Sequence, residues 1–142
     1  MSPVYFCDRN LGKRFGQELR RQGLVVELHD DHFPQDTPDE DLLRHVAAQG
    51  WVILTLDKRM RYRPAEKAAI LRHQARVILL PLPKNPEKGW WLSLATEFTQ
   101  AQSKVLAFLK RNQPPFLARF RVHYHKTGAG RYQLEKLPLW EA

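Results

Sequence analysis

The sequence has one cysteine, Cys7, and no apolar run that approaches the length of a membrane-spanning helix. A single cysteine excludes an internal disulfide and any zinc site built on cysteines. A membrane helix needs about 20 consecutive apolar residues, and residues 1–8 lack the charged and apolar regions of a signal peptide. We therefore expect a cytoplasmic protein without a membrane segment.

Several motifs of common enzyme classes are also missing. The sequence contains no glycine-rich phosphate loop, no G-x-S-x-G nucleophile elbow, and no D-x-D pair directly after the first predicted strand. A phospho-accepting receiver domain would need an acidic pair at Asp8 and a lysine after a later strand. These absences disfavour the corresponding classes.

Acidic residues become scarce after Asp57. The 142 residues carry a net charge of +8, but residues 1–57 hold six Lys/Arg and ten Asp/Glu, and residues 58–142 hold seventeen and five. A basic surface of this size suggests an anionic partner, most simply nucleic acid. General solubility is the plainer explanation of the charge.

Strand and helix patterns alternate four times in the first part of the chain, which is long enough for one domain with a sizeable core. Apolar, β-prone runs predict strands over residues 3–7, 24–28, 51–56 and 76–80. Asn10 is a predicted helix cap, and Thr37 to Glu40 form a predicted capping box with Pro38 at the first helical position. This alternation predicts a three-layer α/β/α sandwich with a mainly parallel, four-stranded sheet.

The pattern changes after residue 85. A helix with one apolar stripe is predicted over residues 90–111, followed by a β-hairpin whose arms begin at Phe116 and Arg131. We expect residues 1–85 to form the core and residues 86–142 to be an extension packed on the same domain. The apolar stripe and the hairpin edge suit a homodimer contact or docking of another protein.

Carboxylates gather where predicted strands end. Asp8 closes the first strand and Asp57 the third, while Asp39 and Glu40 open a helix. Because ligands of a parallel sheet bind beyond the carboxyl ends of its strands, these four residues are the candidate catalytic residues. Clustered carboxylates repel one another unless a hard ion such as Mg²⁺ or Mn²⁺ neutralises them, so Asp8, Glu40 or Asp39, and Asp57 are the candidate metal ligands.

Two plainer interpretations stay open. Helix capping and the helix dipole explain Asp39 and Glu40 without catalysis. The histidines of the His29-Asp30-Asp31-His32 loop do not have the spacing of a helical zinc pair, and we expect this loop to line a pocket.

The segment after Asp57 is rich in cations. Lys58, Arg59, Arg61 and Arg63 are placed to hold phosphates of a nucleic-acid strand, and Tyr62 could stack on a base. A solvated loop is the usual alternative for such a run.

Three motifs together resemble the PIN-like domain family, which includes the VapC-type toxin ribonucleases. They are D-x-N-L from Asp8, P-D-E from Pro38, and T-x-D-[KR] from Thr55, within about residues 3–82. The resemblance implies a Mg²⁺- or Mn²⁺-dependent endoribonuclease, often paired with an antitoxin protein. It places Asp8 and Asp57 at the first and third acidic positions and Asp39 or Glu40 at the second.

We assign Asn10, in the first of these motifs, to RNA binding together with the four cations. The sequence departs from the family pattern after Asp57, where many relatives carry a further acid and this chain has Lys58-Arg59. One metal rather than two, or replacement by Glu66 or Asp31, would account for that. The alternative function is a nucleic-acid or protein binding module without catalysis.

Overall fold

The computed structural model describes residues 2–83 and 85–140. In this part of the chain, six strands form one sheet in the order β2-β1-β3-β4-β5-β6. The strands are β1 Val4–Cys7, β2 Val25–Leu28, β3 Val52–Thr55, β4 Arg76–Leu79, β5 Phe116–Val122 and β6 Tyr132–Leu137. The first four lie within two residues of their predicted bounds.

The first five strands are parallel, and β6 returns antiparallel to β5 as the predicted hairpin. The prediction of a four-stranded sheet is wrong in number, because β5 pairs with β4 and places Ala118 beside Ile78. The extension thus continues the sheet. The hydrophobic residues of β5 alternate as the sequence predicts. Both faces of this strand need to be buried, and the helices of this chain bury them.

Helices cover both faces of the sheet, which confirms the predicted α/β/α sandwich. The helices of the described residues are α1 Lys13–Arg21, α2 Asp39–Ala48, α3 Pro64–His73, α4 Trp90–Gln100 and α5 Gln102–Arg111. Tyr5 and Cys7 of β1 pack with α1, α4 and α5, while Phe6 between them points to the face covered by α2 and α3. None of these helices has the length and apolar character that crossing a membrane requires.

Two predicted helix starts are wrong in detail. A short 3₁₀ turn, Arg9–Leu11, precedes α1, which begins at Lys13, so Asn10 caps no helix and its side chain is available for other contacts. At α2, the Thr37 hydroxyl donates to the carbonyl of Pro34 at 2.8 Å, and the helix has no side-chain cap. The predicted capping box is therefore not formed.

The predicted helix over residues 90–111 is divided at Ala101, whose backbone (φ −85°, ψ 5°) leaves the helical range between α4 and α5. Its apolar stripe, including Leu94 and Phe98, is buried against this chain's own sheet. Because β5 extends the sheet beneath it, the stripe is covered by this chain's own sheet, and the partner contact expected of this segment stays a prediction that rests on the hairpin edge.

We expect Phe98→Ala to lower the free energy of unfolding by about 3–5 kcal/mol, because the ring is fully buried between Tyr5 and Phe120. Leu106→Ala is the control, since Leu106 is exposed on α5. Urea unfolding followed by circular dichroism measures both. Equal, small effects would contradict the placement of α4 in the core.

Candidate active site

The ends of β1 and β3 are joined through the hydroxyl of Thr55. The register pairs Cys7 with Leu54, so Asp8 and Thr55 lie side by side at the carboxyl edge of the sheet. The buried Thr55 hydroxyl donates to Oδ2 of Asp8 at 2.9 Å and accepts the backbone N–H of Asp57 at 3.2 Å. One side chain therefore fixes both acidic residues.

Asn10 completes this junction. Its Nδ2 donates to Oγ1 of Thr55 at 3.0 Å, and its Oδ1 accepts the backbone N–H of Leu56 at 3.1 Å. Both ends of the amide are thus used to hold the turn after β1 against the end of β3. The 3₁₀ turn that replaces the predicted helix start is what places Asn10 there.

A cavity of about 580 Å³ opens above this junction. Asp8, Asp39 and Asp57 line it, so the structure brings together three of the four candidate carboxylates. Other lining residues are Cys7, Arg9, Asn10, Gly12, Lys13, Leu28, His29, Asp30, Gln35, Thr37 and Leu42. The cavity is open to solvent and lies where the sheet topology places ligand sites.

The carboxyl group of Asp8 is partly buried, and this burial raises its pKa above the ordinary value of 3.8. The Thr55 hydroxyl and the backbone N–H of Arg9, which donates at 2.7 Å, oppose the rise because they favour the charged form. Since the folded state binds this proton more tightly than the unfolded state, the stability from Asp8 is greatest below pH 3.8. It is lost as the pH rises through the folded pKa.

Asp57 lies among cations. Its Oδ1 accepts the backbone N–H of Arg59 at 3.1 Å, and its Oδ2 is 3.7 Å from Nη1 of Arg63. Arg63 also donates to Oε1 of Glu66 at 2.8 Å. Glu66 and Asp31, the two candidate replacements for the missing family acid, do not line the cavity.

Glu40 points away from the cavity. It is exposed and forms an ion pair with Arg72 of α3, and Oε1 is 3.2 Å from Nε2 of His73. The hydrogen bond from His73 is the main cause that lowers the pKa of this carboxyl group. Of the two candidates left open by the sequence, Asp39 is therefore the one at the cavity. Among residues 2–83 and 85–140, none forms a hydrogen bond or ion pair with its side chain.

The two histidines of the loop after β2 have different carboxylate partners. His29 is buried, lines the cavity and contacts Oδ1 of Asp30 through Nδ1 at 3.0 Å. His32 instead contacts Oε2 of Glu27 at 2.8 Å. As expected for this loop, it lines the pocket, through His29 and Asp30.

The four cations after β3 have different surroundings. Arg63 is engaged with Glu66 and Asp57, whereas the side chain of Arg59 is 76% exposed and 3.6 Å from Asp57. Lys58 and Arg61 face a second cavity, which lies between this segment and β5. Sequence reasoning included Thr55 in the T-x-D-[KR] motif but gave its hydroxyl no role.

The residues at the cavity fit Mg²⁺ or Mn²⁺ by the chemistry of their donors, because carboxylate oxygens are the ligands such ions prefer. Asp8, Asp39 and Asp57 are the residues that would hold the ion. In the part of the chain that the structure describes, no three acidic, histidine or cysteine side chains lie close enough together to form a metal site.

We expect Thr55→Val, which keeps the shape and removes the hydroxyl, to lower the free energy of unfolding by about 1–3 kcal/mol. It should also raise the pKa of Asp8 further, since the hydroxyl donates to the charged carboxylate. Urea unfolding and an NMR titration of the Asp8 carboxyl carbon measure the two effects. Thr99→Val, which removes a hydroxyl bonded within α4, should leave the pKa of Asp8 unchanged; an unchanged pKa in Thr55→Val would contradict the role of Thr55.

Comparison with known families gives one finding. A family model described as a PIN like domain matches residues 3–81, more than half of the chain, and this range contains Asp8, Asp39 and Asp57. The match does not distinguish the VapC-type subfamily. Searches of curated proteins and of solved structures found no match. The chain therefore belongs to the PIN-like domain family, whose fold is of the nuclease type.

Proposed function

We propose that this protein is a metal-dependent endoribonuclease that hydrolyses RNA phosphodiesters. The observation that carries the proposal is that Asp8, Asp39 and Asp57 line one cavity beside a basic segment. Carboxylate oxygens that face one cavity suit a divalent ion, and the adjoining cations suit a polyanion. Membership of a family whose members are commonly nucleases agrees with it.

Asp8, Asp39 and Asp57 are the proposed ligands of Mg²⁺ or Mn²⁺. When bound, such an ion supplies activation of water and neutralisation of the charge that develops on the phosphodiester. Thr55 and Asn10 orient Asp8 and the turn at Asp57. The raised pKa of Asp8 means that ion binding competes with a proton at a higher pH than for an ordinary aspartate.

The cations divide between binding and positioning. Lys58, Arg59 and Arg61 are available to RNA phosphates, because they are not engaged as fully as Arg63 is with Glu66. Arg63 holds Asp57 near the start of α3. Asn10, first assigned to RNA binding, has both ends of its amide committed to the protein and serves to position the site.

The finer role proposed is the toxin of a toxin–antitoxin pair in the cytoplasm, with an antitoxin protein as partner. It rests on the resemblance of the D-x-N-L, P-D-E and T-x-D-[KR] motifs to VapC-type ribonucleases. The outer edge of β6, which pairs with no strand of the described residues, can accept a strand from an antitoxin or from a second copy in a homodimer.

A binding module without catalysis is the second candidate. It is favoured by the spacing of the carboxylates, since no three donors within residues 2–83 and 85–140 form a metal site. Ion pairing of Asp57 with Arg59 and Arg63 also favours the binding module. Such a module would retain RNA and leave it whole.

We expect Asp8→Asn and Asp57→Asn each to reduce RNA cleavage at least about 100-fold, because each removes a charged ligand. Purified protein is incubated with labelled RNA and Mn²⁺, with and without EDTA, and the products are separated on a denaturing gel. Asp41→Asn, an exposed residue paired with Arg44, is the control and should cleave normally. Undiminished cleavage by both variants would end the proposal, and intact RNA retained under every metal condition would favour the binding module.

The neighbouring residues Asp39 and Glu40 give a sharper comparison. We expect Asp39→Asn to lower cleavage at least about tenfold and Glu40→Gln to leave it nearly unchanged, because only Asp39 faces the cavity. The same gel assay at fixed Mn²⁺ measures both, and circular dichroism checks that both are folded. The reverse result would assign the second acidic position to Glu40.

A further inference from the structure

A second cavity, of about 350 Å³, lies beside the candidate active site between the basic segment after β3 and strand β5. Its floor is apolar and includes Leu79, Pro81 and Val122. Its rim carries four cations, Lys58, Arg61, Arg119 and Arg121, and the ring of Tyr62. No acidic side chain of the described residues lines it.

The two cations of β5 are there because the strand runs past the helices that cover this face. Leu117 is buried beneath α2 and α3, and the next residues with the same orientation are Arg119 and Arg121. Both contact Glu135 on β6, at 2.7 and 3.4 Å. One carboxylate for two guanidinium groups leaves a positive charge at the rim, and the buried Nε of Arg119 has no hydrogen-bond partner in the described structure.

The ring of Tyr62 is largely accessible to solvent, with the residue 72% exposed. The guanidinium carbon of Arg61 lies 5.1 Å from the ring centroid. Proteins that bind single-stranded nucleic acids use exposed rings beside arginines, since an unstacked base can lie on the ring while the cations hold the phosphates.

We propose that this second cavity binds a nucleotide of single-stranded RNA, with its base on Tyr62 or the apolar floor and its phosphates on Arg61, Arg119 and Arg121. The inference rests on the proposed ribonuclease function for the choice of RNA. It extends the RNA contact to β5, which lies outside residues 3–81 of the family match. The cavity is large enough for one small ligand.

The position of the cavity relative to the carboxylates supports this role. Asp57 lines the first cavity and Lys58, the next residue, lines the second. The two cavities therefore meet at the Asp57–Lys58 peptide bond, so an RNA strand with one base in the second cavity continues towards the carboxylates of the first. Duplex RNA does not fit this arrangement, because its bases are already stacked and paired.

Charge complementarity decides the occupant. The four rim cations, two of which share Glu135, repel a basic peptide. The carboxylates of an acidic peptide would pair with the cations but leave the exposed ring and the apolar floor uncovered. A polynucleotide supplies both a negative backbone and flat apolar bases. Single-stranded RNA can place phosphates on the cations and a base against the ring or the floor at the same time.

The test measures binding without cleavage. Full-length protein carrying Asp8→Asn is titrated in EDTA against fluorescent single-stranded RNA, and anisotropy is recorded over a series of salt concentrations. Tyr62→Ala and Arg121→Gln are added separately. Tyr124→Ala and Arg111→Gln are the controls; Tyr124 is 65% exposed with Arg131 5.6 Å from its ring centroid, so it matches Tyr62 closely but lies elsewhere.

The expected results differ between the two variants. Tyr62→Ala should weaken binding about tenfold and leave the salt dependence unchanged, because it removes stacking. Arg121→Gln should weaken binding and reduce the slope of log affinity against log salt by about 0.7, because it removes a phosphate contact. Both controls should bind as the Asp8→Asn parent does.

Three results would overturn the proposal. They are unchanged binding by both Tyr62→Ala and Arg121→Gln, equal binding of duplex and single-stranded RNA, and tighter binding of single-stranded DNA of the same sequence. A Tyr62-dependent RNA affinity without cleavage by the wild-type protein would reject the ribonuclease and keep the binding site. Cleavage by the wild-type protein together with unchanged binding in both variants would reject the binding site and keep the ribonuclease.

Discussion

The parallel pairing of β1 with β3 is the constraint on which the candidate site depends. It places Asp8 directly beside Thr55, and the Thr55 hydroxyl then holds both Asp8 and the backbone of Asp57. Asn10 fills the remaining acceptor position of that hydroxyl. Four residues from two distant segments thus form one unit, and a shift of either strand by one residue would separate them.

The three carboxylates at this edge of the sheet differ in how far neighbouring groups compensate their charge. Asp8 keeps a carboxylate in a partly buried place where its pKa is raised, and Asp39 has no protein partner among the described residues. Asp57, by contrast, is compensated by Arg59 and Arg63. This edge therefore carries carboxylates in one cavity and cations beside it, and the change of sign falls between the adjacent residues Asp57 and Lys58.

The segment after residue 85 is part of the same folded unit. Strand β5 pairs with β4, and α4 covers one face of the sheet through Leu94 and Phe98. Past Leu117, the same strand emerges from under α2 and α3 and presents arginines beside Tyr62. A segment that completes the core thereby also contributes to the surface next to the candidate site.

Local patterns in the sequence determined the elements. Apolar runs defined β1 to β4 to within two residues, and the period of two after Phe116 defined the hairpin, because alternation and turn residues are properties of neighbouring positions. The three motifs also carried the family, and with it Asp8 and Asp57 as strand-end acids. The number of strands was not determined, since pairing of β5 with β4 is a contact between distant segments.

Only the tertiary structure separated residues that are neighbours in the sequence. Asp39 and Glu40 look alike at the start of a helix, yet one faces the cavity and the other binds Arg72, because successive helical positions point in different directions. Asn10 and Thr37 have the chemistry of helix caps, but their side chains bind Thr55 and the carbonyl of Pro34 instead. The sequence by itself determined which chemical groups the chain carries to this edge, and the packing of the sheet and helices decided which of them meet.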